Sequence, residues 1–179
     1  TLVGDDRAID NLWEQLGRRE AYLQPLSQRA DPPQGTVYPL GGALPLFDAS
    51  GPDFIVSRNL YFGVTMAAEE FNSRHPDRKV LLHFRDTQAD PDSASAAMHE
   101  LIWNHQVDAV IGPLFSSSAE ALSRLAEAYE VPMITPLANS DQINSGHNYT
   151  FQLNPTFAVH GEHMARFAVL ELGLDTLAV

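Results

Sequence analysis

The sequence predicts an α/β domain built on a doubly wound parallel sheet, Rossmann-like in its layering, with a helical extension ahead of it. Three observations carry that prediction. Short apolar runs alternate with amphipathic helical patterns from about residue 36 onward, and strands separated by helices of that length must run parallel through crossovers. Several of the runs end in Gly, Pro, Asp or Ser turns, which gathers polar loops along one sheet edge. The 179 residues are 44% hydrophobic and 19% charged, a balance that supports one sizeable buried core.

Taken in order, Ile9, Leu12, Trp13, Leu16, Tyr22, Leu23 and Leu26 recur at roughly helical spacing between Asp6 and Arg29, with Pro25 as a kink or break. The run Ala30-Asp31-Pro32-Pro33-Gln34-Gly35 reads as a linker. Residues 1–35 are therefore expected to form a helical extension and linker. Strands are expected at Val37–Leu44, Val80–Arg85, Ala109–Gly112, Pro132–Thr135 and Tyr149–Leu153. Helices fall between and after them, at Arg58–Ser73, Asp92–His105, Ser118–Tyr129 and Thr156–Leu172, with Gly173 placed as a C-terminal cap. These elements make a lobe over residues 36–174. Asp175–Val179 begins a further apolar strand, expected to lead into a second lobe, because five strands already complete the α/β pattern.

Composition excludes several kinds of chemistry. With 11 Lys plus Arg against 23 Asp plus Glu, the formal charge of -12 opposes binding to nucleic acid and to anionic membrane surfaces. The absence of cysteine removes thiolate nucleophiles, disulfides and Cys-based zinc sites. The longest apolar runs, such as Val107–Leu114, are far shorter than the roughly 20 residues of a membrane helix, so no membrane insertion is expected. No Gly-x-Ser-x-Gly elbow, His-Glu-x-x-His pair or P-loop occurs, and an enzyme is not expected. No cofactor is expected either. His160 and His163 lie one helical turn apart without a predictable third ligand, so they read as a solvated or capping pair and not as a metal site. Asp86, Asp90 and Asp92 lack the glycine and terminal glutamate of a calcium loop and read as a turn and a helix start.

Two segments carry the candidate ligand chemistry. In the first, Ala109-Val110-Ile111 runs into Gly112-Pro113, then into Ser116, Ser117 and Ser118, then into a helix with Leu122, Leu125 and Ala126 on one face. Ser117 or Ser118 is expected to cap that helix, whose free N–H groups would attract a carboxylate or phosphate. The second, Val131 to Asp141, repeats the arrangement with a strand, a Pro turn and then Ala138, Asn139 and Ser140. Two adjacent polar loops on one edge form a clamp for a small polar ligand.

With these segments in view, the chain resembles the first lobe of the type I periplasmic binding proteins, in the branch that includes leucine/isoleucine/valine receptors. The resemblance rests on Gly42-Ala43-Leu44-Pro45-Leu46, the stretch GVTMAAEEFN from Gly63 to Asn72, Arg85-Asp86-Thr87-Gln88-Ala89-Asp90-Pro91, Val107 to Pro113 with the following serines, and Val131 to Pro136. It implies an extracytoplasmic, periplasmic receptor that closes on an amino acid, branched-chain or similar, and delivers it to the membrane subunits of an ABC-type transporter. It also implies that Ser116 and Asn139 hold the charged ends of the ligand, helped by backbone groups of Ser117, Ser118, Ala138 and Ser140. The sequence departs from the family's pattern at Asn139, where a small hydroxyl residue is usual, and in the loop Phe47 to Ser57. The extension before Thr36 is a third departure, and it raises a different expectation: an envelope protein-interaction module of the same fold, such as a cell-wall synthase activator.

Overall fold

Gly41 and Gly42 show how the sheet of this protein is covered. A Cβ on Gly41 would meet the side chain of Leu101, while one on Gly42 would lie 2.2 Å from the ring of Phe84. Successive residues of a strand face opposite sides, so a helix carrying Leu101 presses on one face of the first strand, while on the other the Phe84 ring of the neighbouring strand folds over it. The structure, a computed structural model, describes residues 35–46 and 52–176, with the side chains of 52 and 53 left out. The helical extension expected at Asp6–Arg29, most of its linker, and most of the strand expected at Asp175–Val179 lie outside the described residues.

The elements are β1 (Thr36–Leu44), α1 (Pro52–Arg74), β2 (Arg78–Asp86), α2 (Pro91–Trp103), β3 (Ala109–Ile111), α3 (Ser116–Tyr129), β4 (Met133–Thr135), β5 (Thr150–Gln152) and α4 (Phe157–Leu170). The strands form one five-stranded sheet in the order β2-β1-β3-β4-β5. β1 pairs with β3, β3 with β4 and β4 with β5, all in parallel. The chain winds outward from β1 to β2, then crosses back to the other side of β1 at β3. That reversal opens a crevice beyond the carboxyl ends of β1 and β3, where open α/β sheets receive ligands.

One face of the sheet carries the core. Met98, Leu101 and Ile102 of α2 and Leu122 and Ala126 of α3 pack with Ala43, Val110 and Met133, and Met98, Leu101, Leu122, Val110 and Met133 are fully shielded from solvent. Burying a Leu or Met side chain contributes about 1.5–3 kcal/mol relative to leaving it in water, so this face supplies most of the apolar stabilisation. On the other face, α1 rests on the β2 end: the Tyr61 ring packs tilted against that of Phe84 with centroids 4.5 Å apart, and Asn72 bonds both the N–H and the carbonyl of Val80.

Helix ends follow the sequence with one correction. Asp90 caps α2 by accepting from the N–H of Ser93 at 2.8 Å, and these hydrogen bonds hold its carboxyl below the usual range. Helix α3 is not capped by Ser117 or Ser118. Its N-cap is Phe115, with no side-chain cap bond, because the chain turns into helix two to three residues early and carries all three serines into the first turn. At the other end, Gly173 takes a left-handed φ of +66°, and the N–H of Leu174 bonds back to Ala168, the glycine-terminated helix end expected there.

Helix α4 differs from the rest. It has no buried residue, and Phe157, Met164, Phe167 and Leu170 are all exposed. Its Thr156 cap and glycine end form it locally, without a packed apolar face among the described residues.

Candidate functional site at the crossover edge

The site is built on two turns that the sheet edge holds rigidly. Gly112 follows β3 with φ +102°, and a Cβ there would lie 2.2 Å from the carbonyl oxygen of Ala43, so only glycine lets the β3 turn pass this close to β1. The next carbonyl, that of Pro113, accepts a buried bond of 2.7 Å from the Thr135 hydroxyl on β4. Across the crevice, Ser57 of α1 donates to the Pro45 carbonyl at 2.6 Å. Asp86 closes this side by accepting from the N–H groups of Leu46, at 2.8 Å, and of Gln88.

These turns bring Ser116 and Asn139 together, 23 residues apart in sequence. The Asn139 N–H donates to Ser116 Oγ at 3.2 Å, and the Ser116 hydroxyl donates to Asn139 Oδ1 at 3.3 Å. Both side chains line a cleft of about 230 Å³ with Val56, Leu114, Phe115 and Leu137. Val56 and Leu137 are 41% and 45% exposed, so the cleft offers an apolar wall as well as a polar one.

The other expected residues take different places. Ser117 is exposed on the first turn of α3, and Ser118 is fully buried with its hydroxyl unpartnered among the described residues. Ala138 is buried against Ala119 and Ile143, so it contributes backbone and not side chain. The Ser140 hydroxyl is taken up by Glu120 at 2.5 Å. The first-turn N–H groups of Ser116, Ser117 and Ser118 have no partner within the helix, and the helix dipole adds positive potential there. Further along α3, Glu127 fastens the approach to β5. It accepts from the backbone and side chain of Asn148, at 2.7 and 2.9 Å, and from the N–H of Tyr149; these bonds, that of the Asn148 backbone first, lower its pKa.

The two residues that the family resemblance pairs, Ser116 and Asn139, are hydrogen-bonded to each other, whereas the apolar lining was passed over. Leu114, Phe115 and Leu137 lie inside the two loops already singled out, and the signal available was their apolar character next to Ser116 and Asn139. Val56 gave no such signal: the sequence placed it in the loop Phe47 to Ser57, whereas the structure carries it on the early turns of α1. Among the described residues no group of three His, Asp or Glu side chains is placed to hold a metal ion, and no helix is long and apolar enough to cross a membrane.

A cleft beyond the carboxyl ends of β3 and β4, lined by the Ser116–Asn139 pair and an apolar rim, has the make-up of a small-molecule site. The chain belongs to the periplasmic binding protein family, whose model matches residues 45–179. Among solved structures it is similar to the leucine binding protein LivK of Thermotoga maritima, with 27% identity and a TM-score of 0.63 over 76% of this chain and 38% of that one. A solute binding protein of an ABC transporter from Rhodopseudomonas palustris, in complex with 3,4-dihydroxybenzoic acid, shares the fold at 20% identity and a TM-score of 0.65, over 75% of this chain and 36% of that one. Glutamate receptor 2.9 of Arabidopsis thaliana is 39% identical over 84 residues, 46% of this chain and 9% of the receptor. The chain thus spans well under half the length of each of these proteins.

Proposed function

We propose that this chain is the ligand-binding lobe of an extracytoplasmic solute-binding protein that takes an amino acid or another small carboxylate and presents it to the membrane subunits of an ABC-type transporter, without catalysis. The observation that carries this reading is the Ser116–Asn139 pair at the mouth of the crevice, at the first turn of α3, whose N–H groups have no partner within the helix. A carboxylate there would receive charge-assisted hydrogen bonds from neutral donors, and its apolar body would lie along Val56, Leu137 and Phe115. The backbone N–H groups of Ser117, Ser118, Ala138 and Ser140 complete the proposed polar wall. The named ligands of the similar structures, leucine and 3,4-dihydroxybenzoic acid, share that plan of a carboxylate on an apolar body.

The same reading assigns residues 36–174 to the first lobe and its crossing, and 175–179 to the strand leading into a second lobe. The unburied apolar residues of α4 support this, since they are suited to packing outside the five-stranded sheet. A thermal-shift screen of the full-length protein against L-leucine, other amino acids and hydroxybenzoates tests the proposal, because a ligand of the native state raises the melting temperature by mass action. A concentration-dependent rise with carboxylates, and none with their amides, is expected. No rise with any compound in the panel would overturn the reading.

A further inference from the structure

The loop that follows β4 has its carbonyl groups tied down one after another by a single neighbouring segment. Asn154 Nδ2 donates to the Leu137 carbonyl at 2.8 Å. Gln152 Nε2 donates to the Ala138 carbonyl at 2.8 Å and, more weakly, to that of Ser140 at 3.4 Å. The N–H of Phe157, the first residue of α4, donates to the Asn139 carbonyl at 3.2 Å. Three consecutive carbonyls, 137 through 139, are thus held by residues 152–157, while that of Ser140 is shared between Gln152 and the N–H of Ile143, both at 3.4 Å. The orientation of the Gln152 amide is settled by its partners, because turning it over would set its oxygen against two carbonyl oxygens. Gln152 Oε1 is left buried with no partner among the described residues. Since an unpaired buried acceptor is unfavourable, the side chain is held in place by what its nitrogen does.

We propose that Gln152 and Asn154 are positioning residues for the ligand site: by drawing the carbonyls of the 137–140 loop toward β5 and α4, they leave its N–H groups and the Asn139 side chain to face the crevice. In a peptide plane the N–H and C=O point in opposite directions, so fixing one side of this loop sets the other. The clamp also joins the site to α4 through Phe157, so a carboxylate seated on the loop bears on the first turn of that helix. This inference rests on the reading of the site as a carboxylate receptor.

The test is Gln152→Glu, which keeps the shape of the side chain. Once ionised it has no hydrogen to donate and repels two carbonyl oxygens, whereas its protonated form restores one donor. In the full-length protein, calorimetric titration with L-leucine and with 3,4-dihydroxybenzoate is expected to show affinity weakened by at least about tenfold at neutral to alkaline pH. The deficit relative to wild type should shrink as pH falls and the carboxyl takes up its proton. Asn154→Asp, at a more exposed position, should weaken binding by about threefold and provides the test if Gln152→Glu fails to fold. Wild-type affinity in both variants, or a loss that is the same at every pH, would overturn the positioning role. Amide NMR shifts of residues 137–140 that do not change in ligand-free Gln152→Glu would overturn the clamp itself. A wild-type protein that binds neither probe would instead overturn the reading of the site, and this inference with it.

Discussion

The two faces of the sheet are finished differently. On the face shared by α2 and α3, Met98, Leu101, Leu122, Val110 and Met133 are sealed from water. On the opposite face α1 covers the β2 end, while at the far end Ile134 of β4 and Phe151 of β5 remain 36% and 52% exposed. Of the residues on either side of them in the strands, Met133, Thr135 and Thr150 are buried and Gln152 is half-buried, so the alternation of the strands divides a closed surface from an open one. Stability should therefore reside on the α2/α3 face. The open end and α4 are suited to contacts beyond the described residues, and the proposed ligand crevice lies where the two regimes meet.

Mutations rank the two faces. Leu122→Ala empties a fully buried position between α3 and the sheet and should cost about 2–5 kcal/mol, measured by denaturant unfolding. An effect as small as that of a surface change would break the contrast. Thr135→Val, at the seam between core and site, removes the donor from the buried Pro113 carbonyl and should cost about 1–3 kcal/mol, with ligand affinity falling as the β3 turn loosens. Glu127→Gln should be less stable than wild type at neutral pH. Because folding lowers the pKa of Glu127, its contribution is complete above the unfolded carboxyl value of about 4.3 and is lost as pH falls through the folded value, so the two melting curves should converge in acid. The smallest effect is expected at Phe167→Ala on α4, within about 0.5 kcal/mol, as for a surface residue. A large loss there would show that α4 shares the core.

Much of this was legible in the sequence. The βα alternation fixed the order of the elements, and the strands and helices fell within a few residues of expectation, except that α1 begins six residues before Arg58. Its start is hard to read because Pro52 and Asp53 follow Ser50-Gly51, a turn-like stretch, and Pro at a first helical turn resembles a loop signal. The cap of α3 was misplaced for a related reason. Three serines in a row offer three equivalent caps, and the choice was made by the turn after Gly112, whose close approach to Ala43 no local pattern reveals. Local pattern marked only the serine run 116–118 and the loop 138–140 as polar turns after strands; it was the family resemblance that singled out Ser116 and Asn139 within them. The roles of Gln152 and Asn154 were not legible, since a Gln in an edge strand reads as a solvated residue until the fold places the 137–140 carbonyls above it.

The central claim is that Ser116 and Asn139 receive the carboxylate of a small ligand. Isothermal titration of L-leucine and 3,4-dihydroxybenzoate into the full-length protein and into its Ser116→Ala/Asn139→Ala variant tests it most directly, with circular dichroism to confirm that both fold. Saturable binding by the wild type and none by the variant is the predicted result; equal affinity in the two proteins would contradict it.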